Sequence, residues 1–194
     1  MSTMLRILLV TDTAKPIGQL AAALTAAGFD VIAQAPGARA LAQLVESRRP
    51  DVVIVDTESP SRDTLEQLAV MNAAAPRPVV MFSDCADPAT VRAAVAVGVT
   101  AYVVEGVAPA RLAAVIAVAQ ARFDEDNRLR EKLADAEQKL AERKLIDKAK
   151  GLLMDKRGLT EAEAFETLRR QAMNRGMKLA DVARQLIAMA DLLG

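Results

Sequence analysis

The chain of 194 residues has no histidine and no tryptophan, a single cysteine (Cys85), one tyrosine and four phenylalanines. Without histidine there is no Ser-His-Asp triad, no Cys-His dyad and no His-ligated zinc or haem. One cysteine excludes an internal disulfide framework and a four-Cys metal site, and a lone thiol fits the reducing cytoplasm, where the protein is expected to reside. Aromatics at 3% argue against a stacking platform for single-stranded nucleic acid. Long apolar runs are also missing, so no segment reads as a membrane span. The N-terminus carries one Arg followed at once by a strand-like run, and no signal peptide is expected. The length admits one large domain or two modest ones, with enough chain to bury a core unaided by staples.

Net charge is absent too, with 25 Lys and Arg against 25 Asp and Glu. The balance is uneven along the chain. Residues 1–121 hold 9 basic and 11 acidic side chains, residues 122–142 hold 5 and 7, and residues 143–194 hold 11 and 7. The neutrality is a sum of unlike parts, and the basic part is the C-terminus.

What is present begins with five short runs rich in β-branched residues: Leu5–Val10 leading into Thr11-Asp12, Phe29–Ala33, Asp51–Asp56, Pro78–Ser83 and Thr100–Val104. Between them lie Ala-rich helical stretches at 15–27, 37–47, 61–74 and 87–97, several closed by Gly28, Pro76 or Gly98. Strands apolar nearly throughout are covered on both faces, so the pattern predicts an α/β fold with a doubly wound, parallel five-stranded sheet.

From Pro109 the pattern changes. No Pro or Gly occurs from Ala110 to Lys150, and strong helix formers dominate. Leu129, Leu133, Ala136 and Leu140 recur at spacings of 4, 3 and 4, a coiled-coil seam that predicts a homodimer. Ile116, Ala119 and Phe123 follow the same spacing upstream, out of register with the seam. The alternative is a long helix lying on its own domain. The end predicts a small all-α three-helix bundle. Its first helix runs through Leu145, Ile146, Ala149, Leu152 and Leu153 to near Gly158. A capping box, Thr160-Glu161-Ala162-Glu163, opens the second, with an apolar face of Ala164, Phe165, Leu168, Ala172 and Met173 that is expected to be core. The third follows from Leu179.

Ligands of a parallel sheet bind beyond the carboxyl ends of its strands. The residues there are Asp12, Asp56, Ser83 and Glu105. Two carboxylates together could hold Mg²⁺ through oxygen, and one could attack a phosphoryl donor. Alternatively, each Asp caps the turn that follows. These runs and their closing residues resemble the response-regulator receiver domain over residues 4–121. The resemblance makes Asp56 the phosphoacceptor equivalent, Asp12 a metal-binding acid and Ser83 the hydroxyl that senses a phosphoryl group. Two departures stand out. Thr11 occupies the usual place of a second acid, and Glu105-Gly106 replaces the usual Lys-Pro. Both oppose phosphorylation and imply a pseudo-receiver, with Mg²⁺ at Asp12 and Asp56 disfavoured and no cofactor expected.

In the basic C-terminus, Ala149-Lys150-Gly151-Leu152-Leu153-Met154, Gly158-Leu159-Thr160-Glu161, Glu163-Ala164-Phe165, Leu168-Arg169 and Ala172-Met173 resemble the ANTAR domain over residues 143–193. The resemblance implies binding to paired hexaloop hairpins in a nascent leader RNA, which prevents a terminator from forming. Phosphate contacts are expected from Lys148, Lys150, Arg157, Arg169, Arg170 and Lys178.

The whole chain resembles antiterminators of the NasT/AmiR type. It would comprise a receiver-like domain (1–121), a coiled-coil linker (122–142) and an ANTAR bundle (143–194). Ala101-Tyr102-Val103-Val104-Glu105-Gly106 is closer to NasT-like members. That subgroup implies nitrate and nitrite assimilation genes as targets and a nitrate-sensing protein partner. Two alternatives of other classes are a dimeric adaptor that binds only proteins and a phosphorylatable response regulator. Enzymatic phosphatase chemistry lacks a second acid and a fitting general acid or base, so no enzyme is expected.

Overall fold

A computed structural model describes residues 4–12, 18–39, 41–104 and 108–193. The chain divides into two compact units, Met1–Asn127 and Arg128–Gly194.

The first unit holds β1 (Arg6–Asp12), α1 (Gly18–Ala26), β2 (Asp30–Pro36), α2 (Leu41–Arg48), β3 (Val52–Thr57), α3 (Arg62–Ala74), β4 (Val79–Ser83), α4 (Pro88–Ala96), β5 (Ala101–Val104) and the start of α5 (Pro109–Arg157). All strand pairs are parallel, in the order β2-β1-β3-β4-β5, so the strand order reverses between β1 and β3. This is the predicted doubly wound sheet.

Alternation of side chains across each strand explains why the strands are apolar throughout. Leu8, Val10, Val53, Val55, Val79 and Met81 face one way and pack on α2, α3 and α4. Ile7, Leu9, Val52, Ile54, Val80 and Phe82 face the other and pack on Leu24 of α1 and on Leu112, Ile116 and Ala119 of α5. Ile116 and Ala119 are therefore core residues of the sheet's outer layer rather than an upstream part of the coiled-coil seam.

Local chemistry fixes most boundaries. Ser61 caps α3 by accepting from the Thr64 amide, and Asp87 caps α4 with Pro88 at its first position. The helix expected over 37–47 begins instead at Leu41. Gly37 sits at φ +88 in the turn after the edge strand, a conformation that cannot start a helix.

The second unit holds the rest of α5, then α6 (Glu161–Arg175) and α7 (Leu179–Leu193). α5 is one unbroken helix of 49 residues that continues through Gly151. Between Arg128 and Ala141 every side chain is exposed, with Leu129, Leu133 and Leu140 52%, 60% and 54% accessible. Ala149, Leu153, Ala164, Leu168, Ala172, Val182, Ala183 and Ile187 form the bundle core. The described residues contain no helix long and apolar enough to cross a membrane.

Candidate nucleic-acid interface and sheet-end pocket

The carboxyl end of the sheet is built by register. Thr11 pairs with Asp56, and Asp12 pairs with Thr57, which pairs in turn with Ser83. The backbone thus brings Asp12, Asp56 and Ser83 to one end of three adjacent strands, as the sequence predicts. Glu105 lies outside the described residues.

Side chains sharpen the picture. Thr11, in the place of a second acid, is buried at 6% exposure and brings no charge. Among the described residues no group of three acidic or thiol side chains could hold a metal ion. The Ser83 hydroxyl, 3% exposed, donates to the Glu58 carbonyl at 3.1 Å and accepts from the Cys85 amide at 3.1 Å. The Tyr102 hydroxyl donates to the Cys85 carbonyl at 2.8 Å. Ser83 and Tyr102 thereby pin the loops after β3 and β4 to each other and to β5.

Thr57 is the odd group. It is 2% exposed, and its Oγ1 has no hydrogen-bond partner. An unsatisfied buried hydroxyl costs about 1–3 kcal/mol, and an apolar group of the same shape removes that cost. Thr57→Val is therefore expected to stabilise the first unit by up to about that amount, read as a rise in the urea midpoint with unchanged slope. A fall in the midpoint would mean that the hydroxyl is satisfied.

In the second unit, the predicted capping box opens α6. Thr160 Oγ1 accepts from the Glu163 amide at 3.4 Å, and the Glu163 carboxylate accepts from the Thr160 amide at 2.9 Å. Gly176, at φ 61, closes the helix in the left-handed region.

Of the six basic residues expected at an RNA interface, Lys148, Arg157, Arg169, Arg170 and Lys178 are exposed. Arg169 Nη1 lies 3.6 Å from Glu166 with its side chain 60% accessible, a loose surface pair. Lys150 differs. Its side chain is 16% accessible, and Nζ lies 2.7 Å from Asp147 and 2.8 Å from Glu161, joining α5 to the first turn of α6. It positions one helix on another, with its charge committed to two carboxylates.

The apolar expectation for α6 is corrected in part. Leu168 is core at 2% exposure, but Phe165 is 41% and Met173 72% accessible. The helix buries the row Ala164, Leu168 and Ala172, one residue every turn. Phe165, Arg169 and Met173 form the adjacent row, which faces solvent.

These contacts imply a pH window. The hydrogen bond from Lys150 holds Asp147 below the usual carboxylate range, and the Thr160 amide does the same for Glu163. A depressed acid contributes stability that is lost as pH falls through its folded value, here below the ordinary carboxylate range. Asp147 holds Lys150 above the usual lysine value, so its contribution is lost only above about 10.5. The melting temperature of the bundle is expected to fall at both extremes. Lys150→Met should shrink the alkaline fall, leaving the share that Lys139 draws from Asp135, and leave the acid fall that Glu163 produces. An alkaline limb undiminished by the substitution would assign it to other groups.

Residues 7–117 match the response regulator receiver domain and residues 134–187 match the ANTAR domain. The ANTAR match begins inside the stretch expected to be linker. The transcriptional regulatory protein PdtaR of Mycobacterium tuberculosis is 31% identical over 182 residues, 94% of this chain and 89% of that protein. A nitrate regulatory protein of Klebsiella oxytoca is 40% identical over 60 residues, which are 31% of this chain and 15% of that protein. Among solved structures, the receiver domain of a modulated diguanylate cyclase from Desulfovibrio desulfuricans G20 superposes with a TM-score of 0.56 at 22% identity, covering 64% of this chain and 99% of that one. The receiver domain of the response regulator NarL from Mycobacterium tuberculosis gives 0.53 at 22% identity, covering 60% and 97%. At such identity these structures establish the fold of the first unit and nothing further.

Proposed function

The chain belongs to the family of response regulators that join a receiver domain to an ANTAR RNA-binding domain, and from this premise we propose that it is an antiterminator acting on paired hairpins in a nascent leader transcript. The observation that carries this reading is the bundle surface. Lys148, Arg157, Arg169, Arg170 and Lys178 all stand exposed on a unit whose core is complete, within the net-positive part of the chain. Cations on a rigid scaffold bind phosphate by releasing counterions, while unpaired loop bases supply the specificity. The exposed seam of Leu129, Leu133, Ala136 and Leu140 supports pairing of two chains, so that one dimer engages two hairpins.

We assign control to a sensor protein rather than to phosphotransfer. Thr11 withholds the second acid, and Ser83 already serves two backbone partners at the loop ends. Nitrate and nitrite assimilation genes are the proposed targets, supported by the sequence pair Glu105-Gly106 and by the Klebsiella oxytoca relative. No enzymatic step enters the proposal, in keeping with relatives that are regulators.

The test is a titration of the full chain with a transcript carrying two adjacent hexaloop hairpins at several salt concentrations. The logarithm of the affinity should fall linearly with log salt, and Arg170→Ala or Lys178→Ala should each lower the slope by about 1. Absence of a salt-sensitive shift would leave the protein-only adaptor as the reading. In a parallel experiment with Mg²⁺ and acetyl phosphate, the mass of Asp56 is expected to stay unchanged. Stoichiometric labelling would overturn control without phosphotransfer.

A further inference from the structure

The last turns of α5 and the facing sides of α6 and α7 enclose a groove of about 210 Å³ within the second unit. Its floor is apolar, formed by Leu153, Leu168, Val182 and Leu186. Leu168 and Val182 are nearly sealed from solvent, at 2% and 6% exposure. Its lip is polar and cationic, with Arg157 from α5, Gln171 and Arg175 from α6 and Gln185 from α7. Arg175 Nη1 donates to Gln185 Oε1 at 3.1 Å, which holds a guanidinium at the opening. Among the described residues, the Gln185 amide nitrogen donates to Met177 Sδ at 3.9 Å, a weak acceptor. The groove is smaller than the roughly 300–1,000 Å³ of sites that take drug-sized ligands. It suits one planar group with apolar faces and a hydrogen-bonding edge.

We propose that this groove seats one unpaired base of the RNA loop, with the ring on the leucine and valine floor and its acceptor-rich edge against Arg157, Arg175 and Gln171. The inference rests on the RNA-binding reading and adds the element that reads sequence. Guanidinium groups donate only, and an amide both donates and accepts, so the lip matches a base edge presenting acceptors. Charge complementarity favours a base attached to phosphates over an apolar side chain of a protein. Two arginines flank the opening, and residues 143–194 carry 11 basic against 7 acidic side chains. The groove also supplies recognition that the scarcity of aromatic residues had seemed to deny. Burial of the ring on aliphatic carbon needs no aromatic side chain.

The experiment uses the full chain and a pool of RNAs with two adjacent hairpins whose hexanucleotide loops are randomised. The wild type should enrich a loop consensus. Replacing one consensus base by an abasic site should then weaken binding about tenfold to a hundredfold. Gln171→Ala, an exposed site that changes no charge, should weaken the intact RNA by a similar factor and keep the wild-type salt slope. The abasic penalty at that one position should shrink in this variant, since part of the base's recognition is already gone. If Gln171→Ala keeps the wild-type consensus and the full abasic penalty at every position, the groove holds no base, while the RNA-binding reading stands. If the wild type itself enriches nothing and shows no salt-sensitive binding, both fall. A thermal melt of Gln171→Ala matching the wild type ties the effect to the lip rather than to folding.

Discussion

Leu133→Glu is expected to lower affinity for the two-hairpin transcript by about 10²–10⁴-fold, with affinity for a single hairpin unchanged. Leu129, Leu133 and Leu140 are between 52% and 60% accessible on a helix that strands three leucines and Ala136 in water along one seam. Their spacing puts Leu133 and Leu140 at one core position of a heptad and Leu129 and Ala136 at the other. In a parallel pair the flanking positions set Lys132 opposite Glu137, an attractive match across the seam. Two glutamates facing each other at the core position would be desolvated and mutually repelled, which a short seam cannot absorb. The single chain should be unaffected, because Glu is a good helix former and the site is exposed. Light scattering should report a fall from twice the chain mass to the chain mass. The avidity gained by engaging two hairpins would vanish with it. An unchanged mass with an unchanged two-hairpin affinity would remove the seam from the mechanism.

The legibility of this protein in its sequence follows from how many neighbours each element has. The five strands could be read because both faces of the sheet are buried, so Leu5–Val10 or Asp51–Asp56 carry apolar runs that admit little else. Register then delivers Asp12, Asp56 and Ser83 to one end without further information. The capping box at Thr160 was legible because it is a local pattern, closed within four residues. Sequence spacing is silent where the outcome depends on a third partner. Ile116 and Ala119 share the spacing of the coiled-coil seam, and only the sheet beside them makes them core. Phe165 lies next to the buried row of α6, and periodicity cannot say that α5 and α7 together cover one row rather than two. Lys150 counts as one charge among many until Asp147 and Glu161 are seen on either side of it. The unsatisfied Thr57 hydroxyl and the groove over Leu168 have no sequence signature. The first is an absence of contact, and the second joins residues as far apart as Leu153 and Met189.

Gly98→Ala should cost several kcal/mol, from backbone strain and a steric clash together. Gly98 follows the C-cap of α4 at φ +98, where its amide donates to the Val95 carbonyl at 2.9 Å. A side chain in that conformation is strained by about 1–3 kcal/mol before any contact is considered. The contact is severe as well. A Cβ would stand 1.5 Å from Asn72 Nδ2 and 2.7 Å from its Cγ. Asn72 cannot yield freely, because Nδ2 donates to the Val97 carbonyl at 2.7 Å and so ties α3 to the turn before β5. Swinging it away leaves a half-buried carbonyl unpaired, at roughly 1–3 kcal/mol more. The turn also matters for the sheet end, since β5 carries Tyr102 and its bond to Cys85. Urea denaturation of Gly98→Ala, Asn72→Ala and the double variant separates the two causes. In the Asn72→Ala background the alanine meets no side chain at that point and pays only the backbone strain, so the double variant should be more stable than the sum of the singles by about 0.5–3 kcal/mol. Additive costs would place the whole effect in the backbone conformation and leave Asn72 as a hydrogen-bond donor alone.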